Sequence, residues 1–485
     1  MKLSLFKLTI LAVLILTTTA YSQQQGLSFN FFGGGARSEG MGQAYIAVSD
    51  DGTAGSWNPA GLHVHEKTFM AFSYSTLMPR GAYNFFSYTN NPTVYDHEGN
   101  ISGVNEWSLI TPMRIKNHHF VFNLSYTRNF DVYYRFAEKI YPWSDYDASD
   151  PTDDEEANAF MERKGGVNSI NLGFGTRIYD KLSFGAMANI YWGRVVSEEY
   201  RTVRIDTVLE VGSVLAEGDF LMIDSTSYGG FNVNLGLLYS GEKFRAGLLA
   251  KLPFDLKGES DSTLMWRSTL NGVTFDEIGT VFRTQIAYID NVTSKMHMPL
   301  MLGLGLAYNI NDNWLWSVDV EYRRFEGSII NNLDSLLVTA SGDIEYYYSD
   351  FDPNWSDVLQ LRVGTEYTFN TPLGLVPVRA GFRNEAFPEG NIGEYSITYE
   401  GPKGPSGQSV FQDSTRVYYH YEYDDKQITG YSVGVGTGIH WSQIMLDVAY
   451  TYSYYSQKIY RAEGDLRSSN YWNNHHLNFT FTGYF

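Results

Sequence analysis

Cysteine is absent from all 485 residues, which excludes a disulfide framework, thiolate metal ligands and cysteine nucleophiles. Basic residues are in deficit: 35 Lys and Arg against 54 Asp and Glu leave a net charge of -19. That balance argues against a nucleic-acid partner. Long apolar runs are missing as well. Beyond the extreme N-terminus no stretch of about 18 uncharged apolar residues occurs, so a bundle of membrane-spanning helices is ruled out. Aromatic residues, in contrast, are plentiful: 37 Tyr, 30 Phe and 10 Trp, 16% of the chain. Because the mean hydropathy is slightly negative, these rings are interleaved with polar residues and not gathered into runs. The length suits two or three soluble domains or one large barrel.

The first residues read as an export signal. Lys2 and Lys7 form a short basic region, and Leu8 to Leu16 form an apolar run too short to span a bilayer. Ala20-Tyr21-Ser22 then supplies small residues at the positions a signal peptidase reads. Residues 1–22 are therefore expected to be a cleaved signal peptide. No cysteine follows, so a lipoprotein anchor is excluded.

From about Thr68 the chain alternates with period two. Leu302, Leu304, Leu306 and Tyr308 oppose Gly303, Gly305 and Asn309; Phe231, Val233, Leu235 and Leu237 oppose Asn232, Asn234 and Gly236. Val448, Tyr450, Tyr452 and Tyr454 likewise oppose Asp447, Thr451 and Ser453. Half-buried strands have this pattern. About fourteen such segments follow one another, joined alternately by short and long connections. Short turns are expected near 113–117, 179–181, 241–242, 310–313, 370–374 and 441–442, where Gly, Asn, Asp or Pro cluster. Long loops are expected near 78–104, 131–165, 196–227, 257–296, 328–354, 387–427 and 458–472. The fold class that follows is all-β: a transmembrane antiparallel β-barrel of about 14 strands, in contact with outer-membrane lipid. Trp107, Trp192, Trp314, Trp316, Tyr322, Trp441 and Trp472, near strand ends, suit interfacial girdles. A soluble sandwich would bury the same rings between sheets but would not sort its connections by length. The tail Gly483-Tyr484-Phe485 resembles the C-terminal strand signal read by the barrel assembly machinery.

Residues 23–66 do not fit the strand pattern. They hold Gly33-Gly34-Gly35-Ala36-Arg37-Ser38-Glu39-Gly40-Met41-Gly42-Gln43-Ala44 and, further on, Trp57-Asn58-Pro59-Ala60-Gly61-Leu62. No strand–helix unit or Lys-Ser/Thr follows the glycines, so they are not a nucleotide cradle. They suit close backbone packing in a confined lumen. Asn58-Pro59 fixes a turn. The pairing of Gly-Met-Gly-Gln-Ala with Trp-Asn-Pro-Ala-Gly-Leu resembles the N-terminal hatch of the FadL family, the toluene-transporter-like outer-membrane channels for hydrophobic compounds. The resemblance implies a signal at 1–22, a hatch at 23–66 and a fourteen-stranded barrel at 67–485. It implies that Gly40, Gly42, Asn58, Pro59 and Ala60 are hatch residues and that long-chain fatty acids or aromatic hydrocarbons pass through. The sequence departs from the family in one respect. The third strand, about His118 to Phe130, has no Gly or Pro for the inward kink on which the family's lateral opening rests.

No catalytic residue, metal site or cofactor is expected. The acidic stretch from Asp145 to Glu162 lacks calcium-loop spacing and reads as a solvated loop. Ten His residues offer no spacing that selects a Ser or Asp partner. Arg177, Asp319, Glu321, Arg323, Arg362, Glu366, Arg379, Arg383 and Asp447 are expected to point into the lumen and pair there or with the hatch. Loop 196–227 carries Val203, Ile205, Leu209, Val211, Leu215 and Phe220, either a capture site for an oily ligand or the small core of a protruding hairpin. The expected function is passive uptake of hydrophobic small molecules. The alternative is a role in type IX protein secretion, filled by relatives of the superfamily in Bacteroidetes, with secretion components as partners of the outer loops.

Overall fold

The computed structural model describes residues 34–86, 92–140, 156–209, 212–270, 273–274, 285–338, 344–400, 416–460 and 466–485. The expected signal peptide and the acidic residues 145–155 lie outside them. The strands are β1 (Phe69–Phe86), β2 (Pro92–Glu98), β3 (Ile101–Ile115), β4 (His118–Ile140), β5 (Glu156–Tyr179), β6 (Leu182–Leu209) and β7 (Gly212–Ser240). They continue with β8 (Phe244–Lys251), β9 (Phe254–Leu270), β10 (Val273–Thr274), β11 (Gln285–Met298), β12 (Met301–Asn311), β13 (Trp314–Arg323), β14 (Ile330–Val338) and β15 (Ile344–Phe351). The last five are β16 (Val358–Thr371), β17 (Gly374–Glu400), β18 (Arg416–His440), β19 (Ile444–Tyr460) and β20 (Leu466–Tyr484).

Fourteen of these form a closed antiparallel wall: β1, β3 to β8, β12, β13 and β16 to β20. The ring closes where β20 pairs with β1 from Phe69–Tyr484 to Ala82–Tyr471. Closure satisfies the backbone without water and leaves no edge in the wall, which is what lipid demands.

The wall is inside out by the standards of a soluble protein. Along β12, Leu302, Leu304 and Leu306 are exposed, while Gly303, Gly305 and Ala307 between them are buried. Phe479 and Phe481 on β20, and Leu359 and Leu361 on β16, are likewise outward, while Arg362, Arg379, Asp319 and Glu321 are fully or almost fully buried. A surface this apolar is stable only if hydrocarbon, not water, covers it.

Short turns fall at 116–117, 180–181, 241–243, 312–313, 372–373 and 441–443, all at one end. The other end differs from the sequence expectation. Much of what reads as long loop is strand: β4 has 23 residues, β5 24, β6 28, β7 29, β17 27 and β18 25. About 9–11 residues cross a bilayer, so these strands rise well above it. Beyond the bilayer the strict apolar alternation of the sequence lapses while backbone pairing persists. Within segment 196–227 the described residues 196–209 and 212–227 form a ladder of β6 on β7 reaching Leu209–Gly212.

The third wall strand, β4, is irregular without Gly or Pro. Its register with β5 shifts between Arg128 and Phe130, so Asn129 is bulged. The Asn129 amide donates to Thr127 O at 3.1 Å and to Ser169 Oγ at 2.7 Å. The ladder between β3 and β4 ends nearby, at Glu106–Thr127.

Replacing an outward leucine near the middle of the apolar band tests the lipid-facing assignment. Leu304→Arg should cost about 2–4 kcal/mol of folding stability in lipid vesicles. An unchanged urea midpoint would place that face in water.

Candidate functional site

Residues 34–66 lie inside the barrel, near its short-turn end. They form helix α1 (Ala36–Gly40), helix α2 (Ala54–Trp57) and a 3-10 turn (Pro59–Val64). Gly42 and Gln43 both have positive φ, 62° and 63°, and reverse the chain after α1. Asn58 starts the 3-10 turn: its Oδ1 accepts from Ala60 N at 3.1 Å, and Pro59 occupies the first position of the turn. The Asn58 amide nitrogen donates to Ile46 O at 3.0 Å and Leu237 O at 3.2 Å, so this one side chain ties the turn, the preceding plug segment and β7 together. An aspartate could not donate, which gives a physical reason for the amide. Met41, Tyr45, Ile46, Trp57 and Leu62 are completely buried.

The plug rests directly on wall glycines, through its backbone except at Gly236, where the Asn58 side chain makes the contact. A Cβ on Gly185 would lie 2.2 Å from Pro59 C, on Gly236 2.0 Å from Asn58 Oδ1, and on Gly364 2.3 Å from Met41 O. On Gly381 it would lie 2.1 Å from Gly42 N, and on Gly434 2.2 Å from Glu39 O. These glycines are in register across the wall as rows: Gly175–Gly185–Gly236, Gly247–Gly305 and Gly364–Gly381–Gly434. Of the hatch residues named from sequence, Gly42 packs on Gly381 and Phe382, Gly40 on Gly436 and Arg379, and Pro59 on Gly185.

Charge holds the first half of the plug. Arg37 donates to Asp50 at 2.5 Å and, with two nitrogens, to Glu366 at 2.9 and 2.8 Å. Asp50 also accepts from Arg245 at 2.7 Å, while Glu366 accepts from Arg379 at 2.5 Å. Arg379 continues to Asp447 at 2.6 Å, which faces His440 at 2.9 Å. The result is an alternating chain from β8 through the plug to β16, β17, β19 and β18. Asp319 adds a clamp, accepting from Tyr45 N at 2.6 Å and Ile46 N at 2.9 Å. Burial pushes the Asp50 carboxyl upward, but Arg37 and Arg245 hold it well below the usual carboxylate range. Burial pushes Glu39 up too, yet His476, Arg383 and Gln43 bring it down to about 2.

Neutral contacts hold the second half. Gly52 O accepts from Ser108 Oγ at 2.6 Å, Ser56 Oγ donates to Glu106 at 3.0 Å, and His65 O meets His119 Nε2 at 3.1 Å. Glu106 is the wall carboxylate among these contacts of the described residues, and it also accepts from Gly34 N at 2.9 Å.

A few residues further from the short turns, part of the lumen is lined by an apolar cluster. Phe130, Val167, Leu256 and Met298 cluster there, flanked by Val132, Tyr191, Tyr228, Phe254 and Met296. The Tyr191 and Phe254 rings stack at 4.9 Å and 7°. Beside them is a small cavity lined by Tyr191, Asn232, Lys251, Leu252, Phe254, Pro299, Met301 and Arg323.

Of the charges expected in the lumen, Asp319, Glu321, Arg362, Glu366, Arg379 and Asp447 are buried, with Arg323 and Arg383 partly so. Arg177 is not: it is exposed near the 180–181 turn. The apolar outer residues named from sequence are placed only by their strands. Val203, Ile205 and Leu209 lie on β6, Leu215 and Phe220 on β7, but their side chains and all of Val211 are outside the described residues. Missed from sequence were Arg37, Asp50, Arg245 and Glu106 as plug anchors, and the Phe130–Met298 cluster. The glycine rows carried a signal, since Gly at alternate positions on facing strands marks a place where backbone approaches backbone.

A closed fourteen-stranded antiparallel barrel with an internal plug and an apolar exterior defines an outer-membrane-type β-barrel. Solved structures share this barrel fold. The chain aligns with a Pseudomonas aeruginosa FadL homologue at TM-score 0.57 and 13% identity, covering 94% of this chain and 99% of that one. It aligns with the Pseudomonas putida toluene transporter TodX at TM-score 0.53 and 14% identity, over 95% and 100% of the two chains. The CymD monoaromatic hydrocarbon channel gives 0.52 and 15%, over 94% and 99%. The fold is therefore that of the FadL-like hydrophobic-compound channels. A family model described as BamG matches residues 134–350, rather less than half of the chain. No curated protein matches in sequence.

Arg37 is the test of the plug anchorage. Arg37→Ala leaves Asp50 and Glu366 facing each other without their shared cation, and breaking such a pair costs about 3–5 kcal/mol when it is buried. The variant barrel should still assemble, because the wall is untouched, and should pass ions in planar bilayers where the wild type is silent. Arg37→Lys, lacking the fork that spans two carboxylates, should restore closure only in part. A silent Arg37→Ala barrel would contradict the anchoring role.

Proposed function

We propose that the protein is a passive outer-membrane channel for hydrophobic compounds, closed by residues 34–66 as a movable hatch and performing no covalent chemistry. What carries the reading is the amphipathic character of the lumen just above the plug. Phe130, Val167, Leu256, Met298 and Phe254 offer an apolar bed, and Lys251 and Arg323 stand at its edge. An amphiphile with a long apolar body and one anionic end, such as a long-chain carboxylate, matches both parts. Each buried methylene contributes about 0.8 kcal/mol, so chain length and not charge would dominate affinity. The named functions of the fold's relatives, toluene transport and monoaromatic hydrocarbon passage, support the class of ligand. Release requires the plug to shift. The bulge at Asn129 and the end of the β3–β4 ladder at Glu106–Thr127 favour a sideways exit there.

A protein-handling role is the second reading, favoured by the BamG match, which suggests a link to outer-membrane barrel assembly. The matched region runs from β4 to β15 and includes the strands that rise furthest above the membrane. The secretion role inferred from sequence would draw on the same outer surface.

One deletion strain separates the readings. Without this gene, uptake of labelled oleate should fall while the outer-membrane and secreted protein profiles stay normal. Phe254→Ala with Met298→Ala should reproduce the uptake defect. Normal uptake with depleted outer-membrane barrels would replace the channel by the assembly role, and missing secreted proteins would replace it by secretion.

A further inference from the structure

Charge is distributed unevenly around the short-turn end of the barrel. Lys67, Arg114, Lys116, Arg177, Lys181 and Lys243 are all exposed there, and all belong to the half built from β1 to β8. Three exposed carboxylates accompany them: Glu66, Asp180 and Glu242. The other three turns, 312–313, 372–373 and 441–443, contain no base and one carboxylate, Asp312. In a chain of net charge -19, a basic half-rim runs against the composition.

Its geometry identifies the partner. Lys116, Lys181 and Lys243 sit one in each of three consecutive hairpins, β3–β4, β5–β6 and β7–β8, whose strands are paired side by side. Two strand spacings separate neighbouring turns, roughly 10 Å. Neighbouring strands hold two of these turns: Ser240 N of β7 donates to Lys181 O at 2.8 Å, and Asn309 N of β12 to Lys243 O at 2.7 Å. Each lysine is next to side chains at the border of the lipid-facing band: Ile115 before Lys116, Ile178 and Tyr179 before Lys181, Phe244 after Lys243. Ile178 and Tyr179 are 55% and 77% exposed, and Ile115 and Phe244 44% and 43%. A lysine placed there extends its apolar stem along the membrane border and its ammonium to headgroup level.

We propose that this half-rim binds the headgroups of anionic phospholipids in the leaflet bordering the short turns. An acidic protein would meet the same charge. However, it would not explain why each base is placed beside an exposed apolar residue at the bilayer edge. A base near an anionic surface contributes about fivefold in affinity, so three together exceed tenfold, and the effect weakens as salt shortens the screening length from about 8 to about 3 Å. This inference stands apart from the channel reading and needs no ligand in the lumen.

The test is lipid retention by native mass spectrometry, using barrels reconstituted in nanodiscs of phosphatidylethanolamine and phosphatidylglycerol. The wild type should retain phosphatidylglycerol in clear excess over the bulk mixture. Lys116→Gln/Lys181→Gln/Lys243→Gln should lose that excess by about tenfold or more. A charge-matched control, Lys164→Gln/Lys257→Gln/Lys295→Gln on the strands of the far end, should behave as wild type. Heat-modifiable mobility checks that each barrel is folded. The proposal is overturned if the wild type shows no preference, if the rim variant keeps it, or if the control loses as much.

Discussion

Backbone-to-backbone contact between plug and wall is the constraint on which the rest depends. Where Gly185 meets Pro59, Gly364 meets Met41, and Gly381 meets Gly42, no side chain fits between the two chains. Glycine costs stability in a strand, yet three cross-strand rows of it occur on the inner face. Their effect is to widen the lumen along the path the plug takes, so that a segment of about thirty residues fits a ring whose own side chains would neither fill nor clear it. The outer face meets no such demand and carries leucine and phenylalanine at the alternate positions.

Electrostatics follows from the same packing. A wall that faces lipid outside must place its charges inside, and a charge out of water must be paired. Arg379, Glu366 and Asp447 partly satisfy one another, but Glu366 and Arg245 complete their pairing only through Arg37 and Asp50 of the plug. Plug and wall are therefore one electrostatic unit. The anchorage is also uneven, ionic under residues 34–51 and largely neutral under 52–66, so the two halves of the plug differ in what would release them.

Much of this was legible before the structure was known, and for a physical reason. Inside the bilayer a strand has one oily face and one packed face, so Leu302, Leu304 and Leu306 against Gly303 and Gly305 reveal both the strand and its orientation. Above the bilayer the strict alternation lapses, which is why β6 and β7 beyond Val196 read as loop. The kink residue sought in the third strand was a Gly or Pro; the irregularity is a bulge at Asn129, whose amide replaces the lost ladder contacts with bonds to Thr127 and Ser169. The plug motif pointed to Asn58 and its neighbours. It could not reveal that Arg37 pairs with Glu366, because a contact between residues 329 positions apart leaves no local trace.

The most direct measurement of the central claim is hydrogen–deuterium exchange across residues 34–66 in the bilayer-embedded protein. A plug seated on the glycine rows, with Tyr45 N and Ile46 N bonded to Asp319, should exchange as slowly in peptides covering 44–49 as the wall strands do. Exchange as fast as at an open turn, in a barrel whose strands remain protected, would show that the plug does not hold this position.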